Sequence, residues 1–326
     1  MSASLYDVRV WMTRYIMGSY LILGVIGNLI NIFMFTRRKS RLYNSCSLYL
    51  LAISISHILN ASWGIIPSIY NLNHVDPSTY SYIYCKLRSY SQHSIVMIGR
   101  TLMVVACIDR YAICSNYQRF RLLNKLQVAF RIIIGIIIAW PCINIYLLFV
   151  MIFTGKNCVM LSSFTFIWAI YTVVVPGILT PLLMTIFGLL AIRNRRRLQG
   201  RLNGNRNRNN KRDYTLMVML LSEVLVYVIS TSSFPVITLY KAITTNVVKS
   251  VQRQEIETFI TFFGSSFLLY LNPSSTFYIF IIVSNNYRHE CKRAFLRLCM
   301  RLTGGMNKVS TIGTNTFINR HNETQI

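Results

Sequence analysis

The chain has 326 residues, of which 53% are hydrophobic and 13% are charged, whereas a soluble globular domain carries about 25% charged residues. It is nevertheless strongly basic, with 34 Lys and Arg against 9 Asp and Glu and a formal net charge of +25. This apolar content excludes a disordered chain, and 8 cysteines in this length exclude a small disulfide scaffold. A mean hydropathy of +0.44 is too high for a soluble nucleic-acid-binding protein, so the composition indicates a membrane protein.

Seven apolar runs are long enough to cross a hydrocarbon core, which takes about 20 residues. They lie at about 15–36, 46–70, 85–115, 127–153, 165–192, 215–241 and 255–283. The third run is the least apolar, because it contains Arg88, Gln92, His93 and Arg100. We predict an all-α membrane protein, a seven-helix bundle followed by a short amphipathic helix. The expected parts are an extracellular N-terminus (1–14), the bundle with the amphipathic helix at about 285–302 (15–302), and a cytoplasmic tail (303–326).

The basic residues predict the orientation of this bundle. Of the 34 Lys and Arg, 23 fall in the first, third and fifth loops and in the C-terminal tail. Loops rich in Lys and Arg stay in the cytoplasm, so the N-terminus is expected outside and the C-terminus inside a multi-pass plasma-membrane protein. The run 193–212 is an Arg/Asn/Gly sequence without an apolar face, which favours a solvated loop attracted to anionic inner-leaflet lipid over a specific docking segment.

The third run carries the most specific motif of the chain. Asp109-Arg110-Tyr111 stands at its cytoplasmic end, Cys85 lies 24 residues upstream, and Cys158 follows the fourth run. This arrangement resembles the rhodopsin-like (class A) family of G-protein-coupled receptors. The resemblance implies a disulfide between Cys85 and Cys158, coupling to a heterotrimeric G protein through the triplet, and an extracellular ligand.

Other residues follow the family's motifs to differing degrees. Asn28 matches the helix-1 asparagine, Pro176 (with Pro181 as the competing choice) the helix-5 proline, and Pro235 the helix-6 proline. Ser233 and Phe234 stand where the family usually has a tryptophan motif. The helix-7 motif is degraded to Thr276-Phe277-x-x-Phe280, with Asn272 one turn earlier. The second run has no carboxylate, so a sodium site is not expected. This divergence also resembles invertebrate peptide receptors of the FMRFamide-receptor-like type.

Polar residues at membrane depth are candidates for the ligand pocket. They are Gln92, His93, Arg100, Ser233 and Phe234. Amine receptors have an aspartate where Gln92 stands, so an amine ligand is not expected and a short peptide is predicted. Arg100 either holds a ligand carboxylate or pairs internally, and internal pairing is favoured because buried charges are usually paired.

The C-terminal helix predicted at about 285–302 places four side chains on one face, namely Tyr287, Cys291, Phe295 and Cys299. Cys291 and Cys299 are either palmitoylation sites or free thiols. The chain shows no metal-ligand spacing, phosphate-binding glycine loop or hydrolase motif, so neither an enzyme nor a cofactor nor a bound metal is expected. The alternatives are a membrane carrier or channel, and a receptor-like protein that binds without signalling.

Overall fold

The computed structural model describes residues 4–37, 44–114, 125–154, 158–201, 208–245 and 247–302. The helices of its first half are α1 (Leu5–Trp11, Met12–Met17 and Gly18–Thr36), α2 (Ser45–Tyr70), α3 (Tyr82–Cys114) and α4 (Leu126–Asn144 and Leu147–Val150). Two strands follow, β1 (Met151–Phe153) and β2 (Cys158–Met160). The remaining helices are α5 (Ser162–Thr172, Val173–Leu179 and Thr180–Arg201), α6 (Arg208–Thr231 and Ser233–Ile243), α7 (Val251–Phe262, Phe263–Phe267 and Leu268–Val283) and α8 (Asn285–Leu302).

The predicted bundle of seven helices with an amphipathic eighth is confirmed. Six helices of the described chain are long and apolar enough to cross a membrane, and α3 is the exception. At 33 residues α3 is long enough, but it is the least apolar of the seven, as its sequence predicts. Because α3 packs against α2, α4, α5 and α6, much of its surface faces protein rather than lipid and can stay polar.

Three helices contain a π-helical turn, at Met12–Met17, Val173–Leu179 and Phe263–Phe267. The turn in α5 contains Pro176, which has no amide hydrogen to donate to the preceding turn. Helix α6 is interrupted at Ser232, three residues before Pro235. The prolines of α5 and α6 therefore both lie where the backbone hydrogen bonding of the helix is irregular.

Helix ends differ from the predicted boundaries in two places. Helix α1 begins at Leu5 instead of residue 15, where Ser4 and Asp7 form a reciprocal N-terminal cap. The prediction of a loop over 193–212 is wrong at both of its ends, because α5 continues to Arg201 and α6 begins at Arg208. Arginine is a good helix former, so a run without an apolar face can still extend a helix that packing has started. Residues 202–207 lie outside the described part.

One end of the bundle, here named the disulfide end, is covered by the hairpin of β1 and β2. The two strands pair antiparallel, with Phe153 opposite Cys158. Cys158 forms a disulfide with Cys85 near the start of α3, with a Cα–Cα distance of 5.6 Å. The pairing implied by the family resemblance is therefore present in the structure, and it ties the hairpin to the central helix. The opposite end carries Asp109, Arg110 and Tyr111 and is named the Asp-Arg-Tyr end.

Helices α1 and α7 approach closely through two glycines. A Cβ atom on Gly27 would lie 2.8 Å from the Cβ of Phe277, and one on Gly24 would lie 3.0 Å from the Cα of Ser274. Small residues allow such close packing between membrane helices. Asn28, next to Gly27, uses this proximity and donates from Nδ2 to the carbonyl of Pro273 at 2.8 Å. The predicted helix-1 asparagine thus fastens α1 to α7.

Candidate functional site

The Asp-Arg-Tyr end is built around a buried ion pair. The Nη2 and Nε of Arg110 donate to Oδ2 of Asp109 at 2.6 and 3.1 Å, and the two residues are only 2% and 3% exposed. The other carboxylate oxygen, Oδ1, accepts from the hydroxyl of Ser45 at 2.7 Å. Ser45 is the first residue of α2, whose start is capped by Asn44 and Ser47. The triplet therefore holds the beginning of α2 against the end of α3.

The third member of the triplet contacts α5. The ring centroid of Tyr111 lies 5.8 Å from that of Phe187 in a tilted arrangement. Nearer the disulfide end, α5 contacts α6 close to the prolines of the two helices. A Cβ on Gly177 of α5 would lie 2.7 Å from Cγ of Pro235 of α6. The hydroxyl of Tyr227 also reaches the carbonyl of Pro176 at 3.5 Å. Pro176 and Pro235 thus lie on the two sides of one contact between kinked helices.

The part of α6 near the Asp-Arg-Tyr end is hydrogen-bonded to α8. Asn286 donates from Nδ2 to the hydroxyl of Thr215 at 2.7 Å. Of the two carboxylates nearest to Thr215 along the chain, the side chain of Asp213 lies outside the described residues, and Glu223 faces His57 and Thr276.

Glu223 forms a polar cluster between α2, α6 and α7 that sequence reasoning missed. Its carboxylate is fully buried, and Oε1 lies 3.8 Å from Nδ1 of His57 and 3.3 Å from the hydroxyl of Thr276. The same hydroxyl lies 3.2 Å from Nδ1 of His57. The second run lacks a carboxylate, and the structure supplies one from α6 instead. A glutamate inside an apolar run is itself a signal of function, and it could have identified the cluster.

The degraded helix-7 motif serves packing as well as polar contact. Thr276 faces the Glu223 cluster, whereas Phe277 lies against Gly27 of α1. The ring of Phe280 packs edge-on against Tyr287 of α8, with the centroids 5.9 Å apart. Asn272 is buried one turn before Thr276, and its Oδ1 has no hydrogen-bond partner in the described part of the chain.

The five predicted pocket residues make separate contacts in the structure. Gln92 donates to Oδ1 of Asn60 at 2.7 Å, and Nε2 of His93 lies 3.0 Å from the hydroxyl of Tyr171. Ser233 donates to the carbonyl of Gly264 at 3.1 Å, which ties α6 to α7. Phe234 is half-buried on α6 beside it. Neighbouring helices therefore already bond the polar members of this set, apart from Arg100. The contacts with Asn60 and Tyr171 could not be predicted from the sequence, since both partners come from other helices.

The internal ion pair expected for Arg100 is absent from the described structure. The side chain is 6% exposed, and its guanidinium carbon lies 5.7 Å from the ring centroid of Tyr227. The described residues offer it neither a carboxylate nor a hydrogen bond. Arg100 instead lines a cavity of about 30 Å³ between α2, α3, α6 and α7. The prediction rested on the rule that buried charges are paired, whereas the described neighbour of the guanidinium is an aromatic ring, which compensates the charge only in part.

An open cleft of about 760 Å³ lies at the disulfide end, between α1, α6 and α7. Its charged lining residues are Arg9, Lys241, Lys249 and Glu257. Lys249 and Arg253 both bind the carboxylate of Glu257, at 2.5 and 2.8 Å, and the hydroxyl of Tyr240 donates to it at 2.8 Å. Glu257 is thus already neutralised, and the cleft keeps an excess of positive charge.

Helix α8 packs one face on the bundle and leaves the other open. The hydroxyl of Tyr287 donates to Oδ1 of Asn31 at 2.6 Å, and burial raises the pKa of that tyrosine well above its usual value. Burial also raises the pKa of the Cys291 thiol to about 11, against an opposing hydrogen bond with Tyr287. Cys299 is half-buried and Phe295 is exposed. The four-residue stripe is therefore divided, with Tyr287 and Cys291 against the core and Phe295 turned outward.

In comparisons with known proteins, the segment of the chain that matches lies in its second half. A family model described as serpentine type 7TM GPCR chemoreceptor Srw matches residues 150–298, from the hairpin through α8. No curated protein matches the chain. The family match supports a multi-pass membrane receptor of the G-protein-coupled type, as the resemblance implied. It singles out neither the rhodopsin-like class nor an FMRFamide-like peptide receptor.

Proposed function

We propose that the chain is a plasma-membrane receptor that transmits the binding of an extracellular ligand to a heterotrimeric G protein. The disulfide end would face outward, and the Asp-Arg-Tyr end, on the side richer in Lys and Arg, would face the cytoplasm. The observation that carries the proposal is the buried Arg110–Asp109 pair, with Nη2 2.6 Å from the carboxylate at the end of the central helix. A buried arginine held by an adjacent acid is a group that a conformational change can release.

The structure corresponds to a resting arrangement in this proposal. Arg110 is held by Asp109, and the lower part of α6 is tied to α8 through Thr215 and Asn286. Ligand binding would shift the population toward a state in which α6 swings at its Pro235 irregularity and breaks the Thr215 contact. Arg110 would then turn toward the opened space and bind the C-terminal helix of the G protein. The basic residues on this side would also attract anionic inner-leaflet lipid.

The cleft at the disulfide end supports a short peptide as the ligand. Its volume of about 760 Å³ falls within the usual range for ligand pockets, about 300–1,000 Å³. With Glu257 neutralised by Lys249 and Arg253, the remaining cations Arg9 and Lys241 favour a ligand that carries a carboxylate. A carrier would need polar groups along a continuous path, whereas Gln92 and His93 of α3 are already bonded to neighbouring helices.

The test is to express the chain with promiscuous G proteins and screen peptides that differ in their terminal carboxylate. We expect a ligand-dependent response that Arg110→Ala abolishes without loss of ligand binding. Arg14→Ala is the matched control, because Arg14 is an exposed arginine at the other end that bonds only Asn73 among the described residues. Solute or ion flux without a G-protein response would overturn the proposal in favour of a carrier or channel. Binding without any response in the parent chain would identify a non-signalling protein.

A further inference from the structure

Among the residues that the structure describes, Arg100 is the one buried cation whose charge no neighbouring acid balances. Its side chain is 6% exposed and lies about midway along α3, ten residues before Arg110. Holding an arginine at membrane depth is costly unless an opposite charge or water compensates it. The ring of Tyr227 supplies a partial compensation, with the guanidinium carbon 5.7 Å from its centroid. A neutral ring does not cancel a full positive charge.

The carboxylates of the described chain are engaged elsewhere or lie at its ends. Asp76 pairs with Arg88, Glu257 with Lys249 and Arg253, Asp109 with Arg110, and Glu290 with Arg293. Asp7 caps α1, and Glu255 is exposed near the start of α7. Glu223 alone lies at membrane depth, and it faces His57 and Thr276. The described part of the chain therefore offers Arg100 no counter-charge in this arrangement.

Arg100 lines a small cavity whose surface is mostly apolar, with several polar side chains around it. Its volume is about 30 Å³, enough for one or two waters or a single small ion. The polar lining residues stand on four helices. They are Ser56, His57 and Asn60 of α2, Arg100 of α3, Tyr227 and Thr231 of α6, and Asn272 of α7. Arg100 is more than nine-tenths buried and has no polar partner among the described residues. A group that balances its charge would therefore lie in the cavity.

We infer that this cavity binds a small monovalent inorganic anion such as chloride, with Arg100 as its main ligand. The positive charge sets the sign of the ion, and the volume excludes a ligand's carboxylate with its attached chain. The amide groups of Asn60 and Asn272 lie around the same space and can complete its coordination. The anion would neutralise Arg100 and join α2, α3 and α7.

The inference concerns binding to the folded chain and does not depend on signalling. The purified full-length chain is placed in gluconate, and chloride replaces gluconate at constant ionic strength while thermal unfolding is followed by tryptophan fluorescence. We expect a saturable rise of several degrees in the unfolding temperature, since a ligand that binds only the folded state stabilises it. Bromide should act as chloride does, and sulfate should give no rise because it is larger and divalent.

Arg100→Met should remove the chloride response and should unfold at a higher temperature than the parent chain in gluconate, because it removes a buried uncompensated charge. Arg88→Met is the matched control, since this arginine of α3 already pairs with Asp76, and its chloride response should persist. Glu223→Gln should also keep the response. The inference would be overturned if chloride did not change the unfolding temperature of the parent chain. It would also be overturned if chloride raised the unfolding temperature of Arg100→Met by the same amount. If Arg100→Met does not fold, Arg100→Lys should bind chloride more weakly.

Discussion

The two buried arginines of α3 make opposite use of the same side chain. Arg110 is 2% exposed and binds the adjacent Asp109, whereas Arg100 is 6% exposed and faces a cavity. They stand ten residues apart on one helix. Removing one partner of a buried pair leaves an uncompensated charge, whereas replacing an unpaired buried charge by an apolar side chain relieves one. Burial by itself therefore does not say whether an arginine stabilises the bundle; its partner does.

The strongest way to break this comparison is to disrupt the ion pair between Arg110 and Asp109. Asp109→Asn removes the carboxylate that binds both the guanidinium and the hydroxyl of Ser45. We expect a loss of about 3–5 kcal/mol in the free energy of unfolding, because a buried ion pair is broken. Basal G-protein signalling should rise, since Asp109 no longer binds Arg110.

The measurements are thermal unfolding of the purified chain and basal signalling in cells at equal surface expression. Ser45→Ala is the control that keeps the ion pair and removes only the hydroxyl, so its loss should be smaller, about 1.5–3 kcal/mol for a hydrogen bond to a charged group. If Asp109→Asn unfolds at the parent temperature, the pair does not hold α2 and α3 together.

A second prediction gives Arg100 the partner that Arg110 has. Val96 lies one turn before Arg100 on α3 and lines the same cavity. In Val96→Glu a carboxylate would reach the guanidinium at the i, i+4 spacing at which side chains of one helix meet. We expect the chloride-dependent rise in unfolding temperature to disappear, because the internal acid replaces the anion.

The readout is the same chloride titration, with Val96→Gln as the matched control of equal size without charge. Val96→Gln should keep a chloride response, weakened at most by the lost volume. A full chloride response in Val96→Glu would show that Arg100 and the anion do not meet.

The smallest effect is expected at the exposed pair of the disulfide end. The carboxylate of Asp76 lies 3.2 Å from Nη1 of Arg88, and both side chains are partly exposed. Burial would raise the pKa of Asp76, but hydrogen bonds from Ser78 and the charge of Arg88 outweigh it and hold the pKa below its usual value. Asp76→Asn should therefore cost only about 0–1 kcal/mol at neutral pH.

The sign of the pH dependence follows from the lowered pKa. The stabilisation from Asp76 is fully present above the pKa of an unfolded aspartate, near 4, and is lost as the pH falls through the lower pKa of the folded chain. Unfolding temperatures of the parent chain and Asp76→Asn should therefore converge in acid. A difference that grows on acidification would contradict the assignment.

Local sequence patterns determined much of the fold. Apolar runs gave seven helices in order, and the stripe beginning at Tyr287 gave α8 within a residue or two of Asn285–Leu302. The spacing of Cys85 and Asp109 carries the family resemblance that implied the disulfide. It also predicted which end of α3 holds the cysteine and which end holds the Asp-Arg-Tyr triplet. These features are local in sequence, because helix periodicity and the length of a membrane span are set by neighbouring residues. The extension of α5 and α6 toward Arg201 and Arg208 was missed, since no apolar face marks them.

Contacts between helices could not be obtained in this way. The sequence contains Glu223, His57 and Thr276 on three different runs, and only the crossing of α2, α6 and α7 places them within 4 Å of one another. The packing of α3 against α6 likewise decides that Arg100 meets the ring of Tyr227. Composition determined that this is a basic membrane protein of many spans. Tertiary structure decided which other polar groups surround a buried charge, because those groups stand on neighbouring helices.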